Sequence, residues 1–589
     1  MSGSPDRRSA RRAFLLVASL AVAGGGALPA APAHAPPPRL VPDRALPPRT
    51  IPRALGFNLH ILGPDKDLDA IRDAGVKVAR KDLFWNHVER SRGSYDFGGF
   101  ERLLDGLEKR GIRALFILCY QNELYPRPEN DAEGRAAYAR FAAAAAGRFK
   151  GRKVLWEIWN EPNVMHFWKG PGDHNSDAFA DQYVALVRAA VPAMREADPD
   201  CTILGGAVSC LWTNSFKWID RCFKQGLLTS GIDALSVHPY GFARPELCIQ
   251  EGYGRLREMM DAAGAPKDFP VLNSEVGYDV HEKYLGPPEL RLQHQAWHFV
   301  RQHLVDQLCD IRLSIWYNWN DDPGFRIANP DLTDLPVTTA CRTLAAQLDG
   351  YRFARRIPLA SDLDFALVFE KETGERKLVA WTTPAGRDET PEKAKAHEVA
   401  IPVGTTPTGA VRTFDLFGKE GSAREADGSV IVTLTGSPLY VELRGKAASK
   451  ASAFAPKRVP SGPRPEASSE TIAAWDAKLQ VRLREALNAG RKAKFPFAAM
   501  GGDVEVLACP ESGRLGVRGG GVSAQVPWSA LGLADRAGLA VALAAASEAP
   551  ADLALAAFYC LAAGQASRGE AFLARLSEPE AQAVRGAFR

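Results

Sequence analysis

The chain has 589 residues, of which 46% are apolar, 24% charged and 9% aromatic; these are globular proportions that exclude a mostly disordered chain and a polytopic membrane protein. At roughly 150 residues per domain this length holds several cores, although one α/β barrel absorbs about 250 residues or more. Lys and Arg number 73 against 69 Asp and Glu, a net charge of +4, too near neutrality for a global attraction to nucleic acid or anionic membrane.

In chain order, residues 1–33 read as an export signal, with Arg11-Arg12 ahead of an apolar stretch to Leu28 and small residues at Ala31-Pro32-Ala33. The paired arginines resemble a twin-arginine signal, with cleavage expected after Ala33 and the mature chain periplasmic or secreted from a bacterium. An uncleaved anchor is disfavoured, because the apolar run is shorter than the ~20 residues of a spanning helix and is broken by Gly24-Gly25-Gly26. Nine cysteines stand without CxxC pairs or neighbouring histidine clusters, so no zinc site is expected. Cys201, Cys210, Cys222 and Cys248 lie close enough in sequence for a disulfide and equally suit buried apolar positions, which leaves pairing open.

After a Pro-rich lead (34–52), short apolar runs alternate with longer helix-period stretches, the pattern of parallel βα units. Eight strands are expected at Leu55–His60, Val76–Asp82, Arg113–Tyr120, Val154–Asn160, Thr202–Ser209, Ala234–Tyr240, Phe269–Val276 and Arg312–Asn318. Helices between them include Phe100–Arg110, Ala136–Arg148, Ala178–Ala197 and Pro288–Gln307. Eight such units in 53–350 suit a (β/α)8 barrel better than an open doubly wound sheet, and no GxGxxG or Walker loop competes.

From 351 to 445 the texture becomes short β runs, Phe365–Glu370, Arg376–Thr382, Glu398–Ile401, Ala410–Phe414, Ser429–Thr435 and Leu439–Arg444, which predict an antiparallel β-sandwich packed against the barrel. Residues 446–470, rich in Lys, Ala, Ser and Pro, read as a basic linker. The remainder, 471–589, reads as a small α+β domain: a helix, strands at Val504–Ala508 and Val522–Val526, then Ala-rich helices including a single helical hairpin at Ala556–Arg575. It carries no constellation that points to chemistry, and attachment to a partner, surface or polymer is its expected job.

Barrel enzymes carry reactive side chains at the C-terminal ends of strands. Here the fourth strand runs into Trp159-Asn160-Glu161-Pro162-Asn163, the sixth into His238-Pro239-Tyr240-Gly241, the seventh into Asn273-Ser274-Glu275-Val276 and the eighth into Trp316-Tyr317-Asn318-Trp319. Two carboxylates facing each other across a barrel mouth are what glycoside hydrolysis needs, one to protonate the leaving oxygen and one to engage the anomeric carbon. Aromatic side chains nearby offer a flat apolar face to a sugar ring.

With these motifs the stretch 50–350 resembles glycoside hydrolase clan A, the retaining (β/α)8 glycosidases with acid/base and nucleophile on strands four and seven. Within the clan, Trp159 to Asn163, Val237-His238-Pro239-Tyr240, the run through Arg80, Asp82, Trp85, Val88, Glu89, Gly93 and Tyr95, and the trailing β-domain look most like family 39. The resemblance implies Glu161 as acid/base, Glu275 as nucleophile and Asn160 as ligand of the sugar 2-hydroxyl. It also places Arg80 to favour ionised Glu275 and Tyr240 to donate a hydrogen bond to it, with Trp316 as the platform beneath the sugar. His238 is expected to orient the acid/base or touch sugar, and Trp85, Phe167 and Trp168 are further candidate sugar contacts. Glu157 is the rival acid, but its deeper place on the strand suits a structural carboxylate. Because Asn160 and Glu161 are adjacent, a bulge or the end of strand pairing must turn both toward the mouth. The implied activity needs no metal or organic cofactor, and its partner is an oligo- or polysaccharide. The alternatives are a transglycosylase using the same intermediate, and an inactive carbohydrate-binding barrel.

Overall fold

The computed structural model describes residues 46–60, 65–282, 285–404, 410–443, 467–497, 502–509, 513–519, 522–547, 549–563 and 566–588. The segment expected to be an export signal (1–33), residues 34–45 of the Pro-rich lead and residues 446–466 of the linker lie outside them. The chain divides into two compact units, one through residue 456 and one from 457 on. No helix among the described residues is long and apolar enough to cross a membrane.

The first unit opens with a closed parallel barrel in the order β1 to β8: β1 (Leu55–Asn58), β2 (Val78–Phe84), β3 (Arg113–Cys119), β4 (Leu155–Ile158), β5 (Thr202–Ser209), β6 (Ala234–His238), β7 (Val271–Val276) and β8 (Ile311–Trp316). Around it run α1 (Asp65–Asp73), α2 (Trp85–Val88), α3 (Gly98–Glu108), α4 (Ala132–Arg148), α5 (Asp177–Ala197), α6 (Thr213–Lys224), α7 (Arg255–Ala262), α8 (Arg291–Leu308) and α9 (Pro336–Gln347). All eight expected strands are present. Local chemistry sets the helix starts: the Asp131 side chain accepts from the Gly134 N–H at α4, and the Ser176 side chain accepts from the Phe179 N–H at α5.

Strand alternation sorts the barrel's residues into two layers. Val78, Leu115, Leu155, Leu204, Ala234, Leu272, Leu313 and Ile315 fill the interior, while Phe57, Trp156, Val237 and Trp316 join the larger core that includes the helix layer. Toward the C-terminal end the interior turns from apolar to polar, with Asn58, Arg80, Glu157 and His238 all buried there.

Next come β9 (Arg352–Arg356), β10 (Asp364–Glu370), β11 (Arg376–Thr382), β12 (His397–Pro402), β13 (Ala410–Phe414), β14 (Glu420–Ala426), β15 (Ser429–Leu434) and β16 (Leu439–Leu443). They form one antiparallel sheet in the order β12-β15-β14-β13-β16-β11-β10-β9, curled in a sandwich-like way around a core that includes Val368, Ala380, Ile401, Val430 and Val441. Sequence reasoning missed β9 and β14 because both are charged and largely solvent-facing, with no apolar alternation to read. The sheet packs on the barrel as expected: buried Arg301 of α8 forms a fork with Glu246 at 2.6 Å on each arm, and the Trp381 indole donates to the same carboxylate at 2.8 Å.

The second unit contains α10 (Ser469–Asn488), a four-stranded antiparallel sheet of β17 (Lys494–Phe497), β18 (Gly502–Ala508), β19 (Arg514–Gly519) and β20 (Val522–Pro527), and the helices α11 (Leu533–Ser547), α12 (Pro550–Ala562), α13 (Ala566–Leu573) and α14 (Glu578–Gly586). Trp475 stacks on Phe558 at 4.3 Å in its core. All nine cysteines are free thiols, and Cys201, Cys222 and Cys248 serve as buried apolar residues.

Candidate active site

Pairing of β4 stops at Ile158, and the chain then turns through positive φ at Trp159 (67°) and Glu161 (47°). This break in alternation brings Asn160 and Glu161 to the same mouth, as their adjacency requires. Glu275 gets there another way, because the β7–β8 register shifts between Asn273 and Val276 and lets Glu275 reach the barrel axis.

At the centre is Arg80, 1% exposed, whose planar guanidinium distributes its donors over the whole site. Nε donates to Glu157 Oε2 at 2.8 Å, Nη1 to Glu275 Oε2 at 2.5 Å and Nη2 to Asn160 Oδ1 at 2.8 Å. Glu275 also accepts from Asn58 Nδ2 at 2.9 Å and from the Tyr240 hydroxyl at 3.1 Å. Burial works against its charge, but the fields of His238 and Arg80 and the two hydrogen bonds outweigh burial and hold the carboxyl below its usual range. Burial, reinforced by the Glu275 and Glu161 charges, pushes the Tyr240 phenol well up, so it stays a donor.

Glu161 is held differently. Its Oε1 lies 2.9 Å from Nδ1 of buried His238, and among the described residues no guanidinium grips it in the way Arg80 grips Glu275. One ligand atom from each of Glu161, His238 and Glu275 lies within 4.8 Å of the other two. Three such groups have the composition of a metal site, but Arg80 already neutralises Glu275 here, and the arrangement suits proton transfer beside a charged nucleophile.

Glu161, Glu275, Asn160, Arg80, His238 and Tyr240 therefore converge at the mouth. Arg80, also a candidate for substrate binding by its resemblance, lies beneath the site, walled in by Glu157, Glu275 and the amides of Asn58 and Asn160. Glu157 is fully buried against Arg80 and is structural.

The three tryptophan expectations fail. Trp316 is completely buried and faces the helix layer, 5.2 Å from Phe299 of α8, because Leu313 and Ile315 occupy the inward positions of β8. Trp85 is sandwiched between Tyr125 at 5.3 Å and Phe141 at 5.5 Å, its indole donating to Glu89. Trp168 packs edge-on against Trp159 at 5.0 Å and donates to Gln182. Phe167 is half-buried, stacked on Tyr120 at 5.9 Å.

Tyr317, one residue past Trp316, supplies the aromatic at the end of β8; burial and then the Glu275 charge raise its phenol pKa. Other members missed from sequence are Asn58, Tyr120, which hydrogen-bonds Asn160, and His60, whose Nδ1 lies 2.6 Å from Asp321 Oδ2. A signal existed for Asn58: a polar residue closing a strand whose alternate positions are apolar.

A closed parallel barrel that brings two close-set glutamates to its mouth from strands four and seven has the carboxylate pair that retaining glycoside hydrolysis requires. Residues 54–322 match the sequence model described as Cellulase (glycosyl hydrolase family 5). A family 39 glycoside hydrolase from the gut symbiont Bacteroides cellulosilyticus shares the fold, with TM-score 0.54 and 22% identity over 69% of this chain and 82% of that one. A monomeric beta-xylosidase from Caulobacter crescentus aligns with TM-score 0.49 and 16% identity over 69% of this chain and 98% of its own.

Proposed function

We propose that the chain is an exported retaining glycosidase that cleaves an oligo- or polysaccharide by double displacement through Glu275. The observation that carries this reading is the approach of Glu161 and Glu275 ligand atoms within 4.8 Å. That is short of the roughly 6.5–9.5 Å needed to seat a water for inversion and close to the ~5 Å of direct attack.

Ionised Glu275 attacks the anomeric carbon while Glu161 gives its proton to the glycosidic oxygen, and the bond to that oxygen breaks. Water then attacks the same carbon, passing a proton to Glu161, and the bond to Glu275 breaks. His238 occupies Glu161 Oε1, which leaves Oε2 as the oxygen that exchanges the proton. Asn160, its Oδ1 taken by Arg80 and one amide N–H directed to Tyr120, has its second N–H for the sugar's 2-hydroxyl. Export rests on Arg11-Arg12 and the apolar stretch that follows.

The test is a panel of aryl glycosides and glycans, with the anomeric configuration of the first product followed by NMR. Retained configuration supports the reading, and an inverted first product contradicts it. Product sizing with and without an added sugar acceptor separates hydrolysis from transglycosylation.

A further inference from the structure

Among the described residues only six large apolar side chains are more than about a third exposed, and the most exposed is a tryptophan, Trp212, at 51%. An exposed tryptophan leaves a large apolar face in water, a cost that ligand binding removes. Trp212 immediately precedes α6 on the loop that follows β5, and β5 pairs with β4 and β6. Those two strands carry the acid/base and its histidine. Loop geometry ties it to the site: Cys210 N–H donates to the His238 carbonyl at 2.8 Å, and the Cys210 thiol, raised by burial and lowered in part by the Ser209 hydrogen bond, also feels the Glu161 charge.

The indole is seated against Gly241, the residue after Tyr240. A Cβ built on Gly241 would lie 2.7 Å from Trp212 Cζ3 and 2.8 Å from Cε3, and its φ of +91° independently requires glycine. The ring therefore rests with its Cε3–Cζ3 edge against bare main chain while about half of the side chain stays open to water, a seated aromatic that costs little entropy to use. A second of the six, Met165 at 46%, stands four residues past Glu161 on the neighbouring loop.

Resting on the reading of Glu161 as the acid, we infer that Trp212 is the platform for the leaving-group sugar, the ring whose oxygen Glu161 protonates. Trp212 and Met165 both lie on loops beside Glu161, whereas Tyr317 and Asn58 lie on the Glu275 side. The same platform receives an acceptor sugar in the reverse sense: its hydroxyl gives a proton to Glu161, bonds to the anomeric carbon, and the bond to Glu275 breaks. The site thus takes a substrate that continues past the cleaved bond as at least one more pyranose-like ring.

The test compares two probes of the sugar that the aryl panel selects, its glycosyl fluoride, which has no leaving-group ring, and its trisaccharide. Trp212→Ala is expected to lower kcat/KM on the trisaccharide at least tenfold more than on the fluoride, with Trp212→Tyr restoring most of the loss. Phe417→Ala, an exposed aromatic in the β-sheet domain, serves as control and keeps the wild-type ratio. Equal losses on both probes, or no loss on the trisaccharide, overturn the inference while leaving the catalytic pair intact. A wild-type enzyme that turns over neither probe overturns the parent reading as well.

Discussion

Two regions of the barrel draw carboxylates out of bulk water and treat them in opposite ways. At the mouth, Glu275 faces a guanidinium and is held below its usual range. Behind β7, Asp306 of α8 is met only by neutral donors, Tyr253 at 2.8 Å, Asn273 at 2.9 Å and Gln302 at 2.8 Å. Burial wins there and the carboxyl is pushed up in spite of those hydrogen bonds. The same helix buries His298 and His303, and burial drives both down, His303 to about 4. With a cation beside it the Glu275 carboxyl is held down, whereas the Asp306 carboxyl, met by amide and hydroxyl donors alone, is pushed up.

Arg80 is the largest lever on that contrast. Arg80→Met strands Glu157 and Glu275 without their cation, with an expected stability loss of about 3–5 kcal/mol and a fall in kcat/KM of about 10³-fold or more. Denaturant melts and steady-state kinetics measure both, and near-normal values would show that the neutral donors suffice. Glu161→Gln keeps the shape and removes the transferable proton, and is expected to cost about 10²–10⁴-fold on glycosides with poor leaving groups. The loss should shrink on a dinitrophenyl glycoside, whose leaving group needs no proton.

Asn58→Ala tests the neutral donors themselves. The acid limb of kcat/KM is expected below pH 4.5, because Glu275 is depressed from that value and activity is lost as pH falls through its folded-state pKa. Removing a donor to the charged form moves the limb upward, by about one unit. On the α8 side the imidazole is also depressed and the sign is the same. His303 is depressed from 6.5 to about 4, so its contribution is whole above pH 6.5 and is lost as pH falls toward 4, about 3 kcal/mol in all. His303→Phe is expected to flatten the decline of unfolding free energy between pH 6.5 and 4. The smallest effect is at Trp168: Trp168→Phe should lower Tm through lost packing while kcat and KM stay within about twofold, and a large rise in KM would return it to the cleft.

The strands and the carboxylate pair were legible because each leaves a periodic or compositional mark. Glu161 and Glu275 are polar residues closing apolar runs, and Asn160-Glu161 announced the break in alternation that the positive φ values supply. The tryptophans were not legible from residue type alone. Counting alternation back from Leu313 and Ile315 sends Trp316 outward and Tyr317 inward, a register visible only once the interior layer is known. Trp212 left even less trace, since its role depends on a glycine 29 positions away that reaches it only in three dimensions.

The central claim, that the cation-held glutamate is the nucleophile and its histidine-held neighbour the acid/base, is tested most directly by azide rescue. Glu275→Ala and Glu161→Ala are each assayed on an activated aryl glycoside with added azide, and the configuration of the glycosyl azide is read by NMR. The account predicts an inverted azide from Glu275→Ala, in which the anion enters the vacated nucleophile position, and a retained azide from Glu161→Ala, in which it intercepts the glycosyl-enzyme. The opposite pairing, or near-normal hydrolysis by Glu275→Ala without azide, would contradict it.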